Sequence, residues 1–195
     1  MDKEQSSEVC SSLAWVESLG GALVVVPVSA LAAWSGGTAT GVLMGGDVPD
    51  DYDRACAVDG PAGVLPVGNG GVRALVLGDE PDTSCYLAGH RAFLRWLAAD
   101  SESDLKSAAE DVLADPATRW DACGTWVTDG PAVLMDAAVP GAELNEAYPD
   151  GGMPEQAPVS LQPGRWRVRA VRTWADPRTC VGLVQFLPAG AGEVS

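Results

Sequence analysis

Acidic side chains are the groups in this sequence whose types and spacing could do chemistry. Asp47, Asp50, Asp51 and Asp53 fall within seven positions around Tyr52, and Asp79, Glu80 and Asp82 follow an aliphatic run that stops at Gly78. Clustered carboxylates serve three ends. They ligate a hard cation, they split general-acid and general-base work across a cleft, or they meet a basic partner. The first end is poorly matched, because the 47–53 loop has neither the Gly at its sixth position nor the Glu at its twelfth that an EF-hand needs. For the second, Asp79 or Glu80 with Asp53 would be the pair of a small hydrolase or glycan-acting enzyme. Composition does not set those residues opposite one another. The simpler reading of Gly78-Asp79-Glu80-Pro81 is a solvated turn bracketed by Gly and Pro.

Other reactive groups are sparse. His90 is the only histidine, and it lies between Gly89 and Arg91 with no GxSxG or Cys box anywhere in the chain, so no nucleophile–base pair is indicated. Cys10, Cys56, Cys85, Cys123 and Cys180 are odd in number, far apart and without a CxxC pair. That excludes the usual zinc sites and a disulfide framework, leaving buried free thiols in a reducing cytosol. Gly68-Asn69-Gly70-Gly71 joins strand to strand and lacks a following Lys-Ser/Thr, so it does not cradle phosphate. Seven Trp against three Tyr and two Phe either line a sugar, base or regulatory-ligand pocket or fill core seams. Trp34 and Trp120, beside loops, are the ones placed to anchor a partner. No catalytic, cofactor-binding or metal-binding residue is assigned, and no cofactor is expected.

Composition narrows the partner. The 195 residues are 47% hydrophobic and 20% charged, with a formal charge of −15 and a pI near 4.2. Wholesale disorder is excluded, and a field of that sign disfavours nucleic acid and anionic membranes while attracting a basic protein. Lys3 and Lys106 are the only lysines; with abundant Ala, Gly, Val and Asp this suggests a GC-rich bacterial genome. The polar, acidic start MDKEQSSEVC is not a signal peptide, and the apolar run 22–28 is far below the ~20 residues that span a bilayer. A soluble cytoplasmic protein is expected.

The elements that must position these groups are mostly strands. Val64–Val67 and Val72–Leu77 flank Gly68-Asn69-Gly70-Gly71, hairpin chemistry in which Asn-Gly takes positive φ. The second run, aliphatic almost throughout, reads as a central strand buried on both faces. Further strands are expected at 13–16, 22–26, 54–59, 83–87, 124–128, 132–137, 159–161, 165–174 and 181–187. Ser29 caps a helical turn over 30–34, and residues 35–47 form a Gly- and Thr-rich loop. Helices are expected at 90–99 and after Ser101, where Ser101 and Asp104 form an S-x-x-D box and Leu105, Ala108, Ala109, Val112 and Leu113 make one stripe. The long loop 140–157 is rich in Gly and Pro, of a length that marks function or disorder. Arg165, Arg167 and Arg169 alternate with Trp166, Val168 and Ala170, either a solvent face or arginines bridged to the molecule's own acidic loops. The expected fold is α+β and mainly antiparallel β-sheet. It comprises a leader at 1–12, one domain at 13–188 and a tail at 189–195. Similar β-lobes at 13–89 and 120–188 would surround a helical pair at about 90–115, a repeat suggested by Trp15-Val16 before Gly20 and Trp126-Val127 before Gly130.

Several stretches resemble one known family. Trp15-Val16-Glu17-Ser18 with Gly20-Gly21, the strand to Pro27 and then Trp34 resemble the opening of the immunity protein 21 family. Asp51-Tyr52-Asp53-Arg54-Ala55-Cys56, Val67-Gly68 and Leu75–Pro81 resemble its middle. Phe93-Leu94-Arg95-Trp96, Asp129-Gly130-Pro131 and Pro163-Gly164 before the Arg-rich strand resemble its later landmarks. The resemblance implies a non-catalytic inhibitor, encoded beside a bacterial polymorphic toxin, that binds and silences its own cell's toxin in the cytoplasm. The charge then favours a basic toxin domain such as a nuclease, whose phosphate-binding surface is cationic. Candidate toxin contacts are Asp47, Asp50, Asp51, Asp53, Asp79, Glu80 and Asp82, with Glu143, Glu146 and Asp150 from the long loop.

Overall fold

Alternation of apolar and polar side chains gives the main sheet one dry face. In the computed structural model, which describes residues 13–78 and 80–190, the strand Gly164–Trp174 buries Trp166, Val168 and Ala170 on one side and exposes Arg165 and Arg167 on the other. In chain order the strands are β1 (Trp15–Val16), β2 (Leu23–Pro27), β3 (Gly63–Pro66), β4 (Arg73–Val76), β5 (Ser84–Leu87), β6 (Ala92–Ala98), β7 (Asp121–Thr128), β8 (Ala132–Asp136), β9 (Gln156–Val159), β10 (Gly164–Trp174) and β11 (Cys180–Pro188). The helices are α1 (Asp51–Cys56) and α2 (Glu102–Ala114), with 3-10 turns at Val28–Ala33, Ala88–His90 and Gly141–Glu143.

Two antiparallel sheets result, one of six strands in the order β1-β5-β6-β11-β10-β7 and one of five in the order β3-β4-β2-β8-β9. The fold is α+β and mainly β, as expected. Within each sheet the strands of the first half lie to one side and those of the second half to the other, meeting at β6–β11 and at β2–β8. Residues 13–89 and 120–188 therefore each contribute strands to both sheets.

Between the sheets lies an aromatic layer of Phe93, Trp126, Trp166 and Phe186 with Leu75 and Leu134. The Phe186 ring meets Trp126 and Trp166 edge-on, with centroids 5.3 and 5.5 Å away, the geometry that aromatic quadrupoles favour. The Trp126 indole N–H donates to the Arg73 carbonyl at 2.7 Å, so this buried polar atom is satisfied. Outer faces are covered too. On the six-stranded sheet, Leu105, Ala108 and Ala109 of α2 pack against Leu94, Val181 and Leu183. On the five-stranded sheet no long helix does this work. Trp34, Tyr52, Ala55 and Leu144, from loops and short turns, pack on Val24, Val26, Val76 and Met135. Every residue of β2 is buried in consequence.

Four local expectations are corrected. Residues 92–98 are a central strand, not a helix. Phe93 faces the inter-sheet core and Leu94 the α2 side, so both faces of the strand are apolar and the period-2 signal vanishes. The helical pair at about 90–115 thus reduces to α2. Residues 51–56 are helical where a strand over 54–59 was expected. Ser29 makes no cap at its 3-10 turn, and its hydroxyl donates to Asp129 instead. The 68–71 hairpin forms, but its positive φ angles sit at Gly68 (53°) and Gly71 (78°) rather than at Asn69.

Phe186→Ala, which empties the centre of the aromatic layer, is expected to cost about 3–5 kcal/mol in urea unfolding. Arg167→Ala on the exposed face should stay within about 0.5 kcal/mol of the parent.

Candidate functional site

The acidic stretch after Gly46 folds as a clamp. Asp53 N–H donates to Asp50 Oδ1 and Asp50 N–H donates to Asp53 Oδ2, each at 2.9 Å, a reciprocal box that starts α1. The remaining lone pairs of these carboxylates hold the preceding loop. Thr38 N–H donates to Asp50 at 2.6 Å, while Val42 N–H and Leu43 N–H donate to the two oxygens of Asp53 at 2.7 and 2.8 Å. Ser35 gives both its N–H and its hydroxyl to Asp51, which also pairs with Arg54 at 2.8 Å. Desolvation pushes the Asp53 carboxyl up, but the backbone N–H groups of Asp50, Leu43 and Val42 outweigh it and hold it below the ordinary aspartate range. Of the four acids at 47–53, only Asp47 is exposed.

The clamp displays apolar groups. Val42, Leu43, Met44 and Val48 are 49%, 59%, 66% and 66% exposed, at the tip of the loop whose ends the carboxylates fix. The tip is itself tightly turned: Met44 N–H and Gly46 N–H both donate to the Gly41 carbonyl, and Gly45 N–H donates to Val42.

Neighbouring loops meet the clamp at its base. Gly36 lies so close to the Ala138 carbonyl and the Pro140 nitrogen that a Cβ there would collide with both. Gly141 N–H donates to the Trp34 carbonyl. Asp136, only 3% exposed at the end of β8, accepts Leu19 N–H at 2.6 Å and Ala138 N–H at 2.8 Å, tying the 17–21 crossing to the start of the long loop. Beyond it, buried Leu144 and a turn closed between Tyr148 and Gly152 give that loop a defined course. Glu143 and Glu146 line a groove of about 370 Å³ together with Leu19, Tyr148 and Pro154. Glu143, Glu146 and Asp150 are exposed. Among the described residues, none of these three and not Asp47 has an ion-pair partner within 4 Å.

A second acidic group lies elsewhere. Glu80 and Asp82 gather around Arg95, whose side chain is 5% exposed: Asp82 is 3.1 Å from its Nη2, and Glu80 also meets Arg172 at 2.6 Å. Burial raises the Asp82 carboxyl, with Arg95 and Arg172 offsetting only part of that rise. A cleft of about 330 Å³ opens beside Glu80, Arg95, Arg172 and Asp121. Asp79 lies outside the described residues. Glu80 is engaged by arginines and Asp53 by backbone amides, so neither of this candidate acid–base pair contacts the other. His90 is exposed, and its carbonyl accepts a hydrogen bond from Gln185. Among the described residues there is no cluster of three or more His, Cys, Asp or Glu able to hold a metal ion.

One anchor expectation changes, and of the two readings of the arginines the solvent face holds for Arg165 and Arg167. Trp34 is 1% exposed and donates to the Ala137 carbonyl, so it is a core residue. Trp120 carries the Arg169 guanidinium 4.2 Å above its ring. Among the described residues Arg169 has no acid within ion-pair distance; its Nε and Nη2 donate to Gln185 at 2.8 and 2.6 Å, and burial, then Arg167, lowers its pKa. The residues missed by sequence reading are the apolar tip and Asp136. Asp50-x-x-Asp53 was a usable signal, being the carboxylate form of the box recognised at Ser101. Val42-Leu43-Met44 between Gly41 and Gly45 was a weaker one, a hydrophobic triplet with no strand or helix to bury it.

A family model described as immunity protein 21 matches residues 14–179. No curated protein matches the chain, and neither does any solved structure. Among the described residues no helix is long and apolar enough to cross a membrane.

Because the folded pKa of Asp53 lies below its unfolded value of about 3.9, the clamp's contribution is complete above that value. It is lost as pH falls through the folded pKa. Hydrogen-exchange protection of the Val42 and Leu43 amides should therefore hold down to about pH 4 and decline below it. In Asp53→Asn those amides should be less protected throughout the range, while α2 amides stay unchanged.

Proposed function

The chain belongs to the immunity protein 21 family, and from that premise we propose that it neutralises its cognate toxin by covering it with the loops over the five-stranded sheet, where residues 17–21, 35–53 and 136–155 meet. An immunity protein neutralises a cognate toxin, and proteins of this kind are typically non-catalytic. The observation that carries the choice of surface is unengaged charge beside exposed apolar groups: Asp47, Glu143, Glu146 and Asp150 are exposed and lack ion-pair partners among the described residues, and Leu19, Leu43, Met44 and Met153 stand exposed in the same loops. Asp50, Asp51 and Asp53 act one step back, by fixing the loop that presents Asp47. Glu80 and Asp82 hold the Arg95 cluster, and they contribute to the field more than to the contact.

The partner that suits this surface is a basic toxin domain. A net charge of −15 raises the local concentration of a cationic partner and selects against like-charged ones. A nuclease fits best, since binding phosphate backbones requires a cationic face that these acids can occupy. Inhibition then needs only occlusion, inside the cytoplasm of the producing cell. A complex of this kind buries on the order of 1,600 Å² in total.

Coexpression with the toxin domain encoded in the adjacent reading frame should restore growth. Asp47→Lys, Glu143→Lys and Glu146→Lys combined should slow association by roughly tenfold or more and flatten its salt dependence; stopped-flow measurements at several ionic strengths give both. Unchanged association and salt dependence would remove this surface from the interface. Glu80→Gln should leave protection intact, whereas lost protection with retained binding would point to catalysis instead.

A further inference from the structure

We propose that the tip formed by Val42, Leu43, Met44 and Val48 is the energetic centre of the toxin interface, a knob that enters an apolar pocket rimmed by basic residues on the toxin. This rests on the reading just given and specifies where on that surface the affinity resides. Soluble proteins bury side chains of this kind or scatter them singly; here four stand 49–66% exposed within seven residues. They are also rigidly held. Both oxygens of Asp53 receive the N–H groups of Val42 and Leu43, Asp50 receives Thr38, and Val48 N–H returns to the Thr40 carbonyl. Gly46 packs directly on the Thr40 carbonyl, a contact that leaves no room for a Cβ. A loop braced in this way loses little entropy when a partner closes over it, which is the condition for an anchor.

Charge selects the occupant. Asp47 stands exposed within the tip itself, and the carboxylates of Asp50, Asp51 and Asp53 lie just behind it. A second copy would bring another net charge of −15 against the first, and an anionic lipid surface would be repelled likewise. A basic protein meets apolar contact at the centre and opposite charge at the rim, the usual anatomy of a specific interface.

Leu43→Ala/Met44→Ala tests this with an inactivated form of the toxin domain from the adjacent reading frame. The double variant should bind about 100-fold more weakly through faster dissociation. Its association rate, salt dependence and melting temperature should match the parent's. Val48→Ser should weaken binding in the same sense by a smaller factor. Parent-like affinity in the double variant would overturn the knob and leave the acidic surface standing. Failure of the parent itself to bind the toxin would overturn both. A concentration-dependent dimer of the parent, abolished by the double variant with toxin affinity intact, would make the tip a self-contact and sink the proposal.

Discussion

A carboxylate accepting backbone N–H groups is the interaction on which this molecule most depends. Both sheets carry apolar side chains on their outer faces as well as between them, but only α2 is long enough to cover such a patch as a helix. The five-stranded sheet must be covered by loops, and loops leave backbone donors unpaired unless something accepts from them. Asp50, Asp51, Asp53 and Asp136 do so for Thr38, Ser35, Val42, Leu43, Leu19 and Ala138. Glu155 does the same for Glu17 N–H at 2.7 Å. The loops can then hold Trp34, Tyr52 and Leu144 against the sheet as a helix would hold its apolar stripe. Charge-assisted bonds of this kind are short and stronger than neutral ones, which suits segments with no ladder or helix of their own.

That arrangement divides the acidic charge into two populations. One part is spent inward on amides and on arginines such as Arg95. The other part, including Asp47, Glu143, Glu146 and Asp150, has no such task among the described residues. Both contribute to the long-range field, but only the second can trade solvent for a partner without loosening the fold. Net charge alone does not distinguish the populations, which is why a count of acids is a poor map of an interface.

How much of this the sequence disclosed depends on how local each signal is. α2 was legible because Ser101 caps it and one apolar stripe repeats at helical spacing; β10 was legible because arginines alternate with Trp166, Val168 and Ala170. β6 was not, because a strand in the middle of a sheet covered on both sides shows Phe93, Leu94, Trp96 and Leu97 without alternation, a pattern that also suits a helix face. Arg95, on the same strand, turns toward Glu80 and Asp82. α1 is six residues long, too short for any periodicity, and only its capping pair announced it. The apolar tip was hidden for a different reason. Hydrophobicity along a chain predicts burial, and this loop contradicts that rule, so the Val42-Leu43-Met44 triplet is a weak signal that the fold makes plain.

The arginines of β10 complete the electrostatic picture. Arg165, Arg167 and Arg169 lie on the outer face of the six-stranded sheet, opposite in direction to Trp166 and the inter-sheet core, whereas Arg172 pairs with Glu80 beside Arg95. The clamped loops lie over the outer face of the five-stranded sheet, on the other side of the sandwich. The three outward arginines share their side of the sheet with α2, whose Glu102, Asp104, Glu110 and Asp111 offset them, so the net charge of −15 is not divided cleanly between the two faces. An approaching basic surface is attracted at long range by the net charge whichever face it meets first. Arg169, stacked on Trp120 and held by Gln185, is tied to its own sheet rather than offered to a partner. On the proposed interface, orientation must therefore come from the shape of the braced loops rather than from a division of charge between faces.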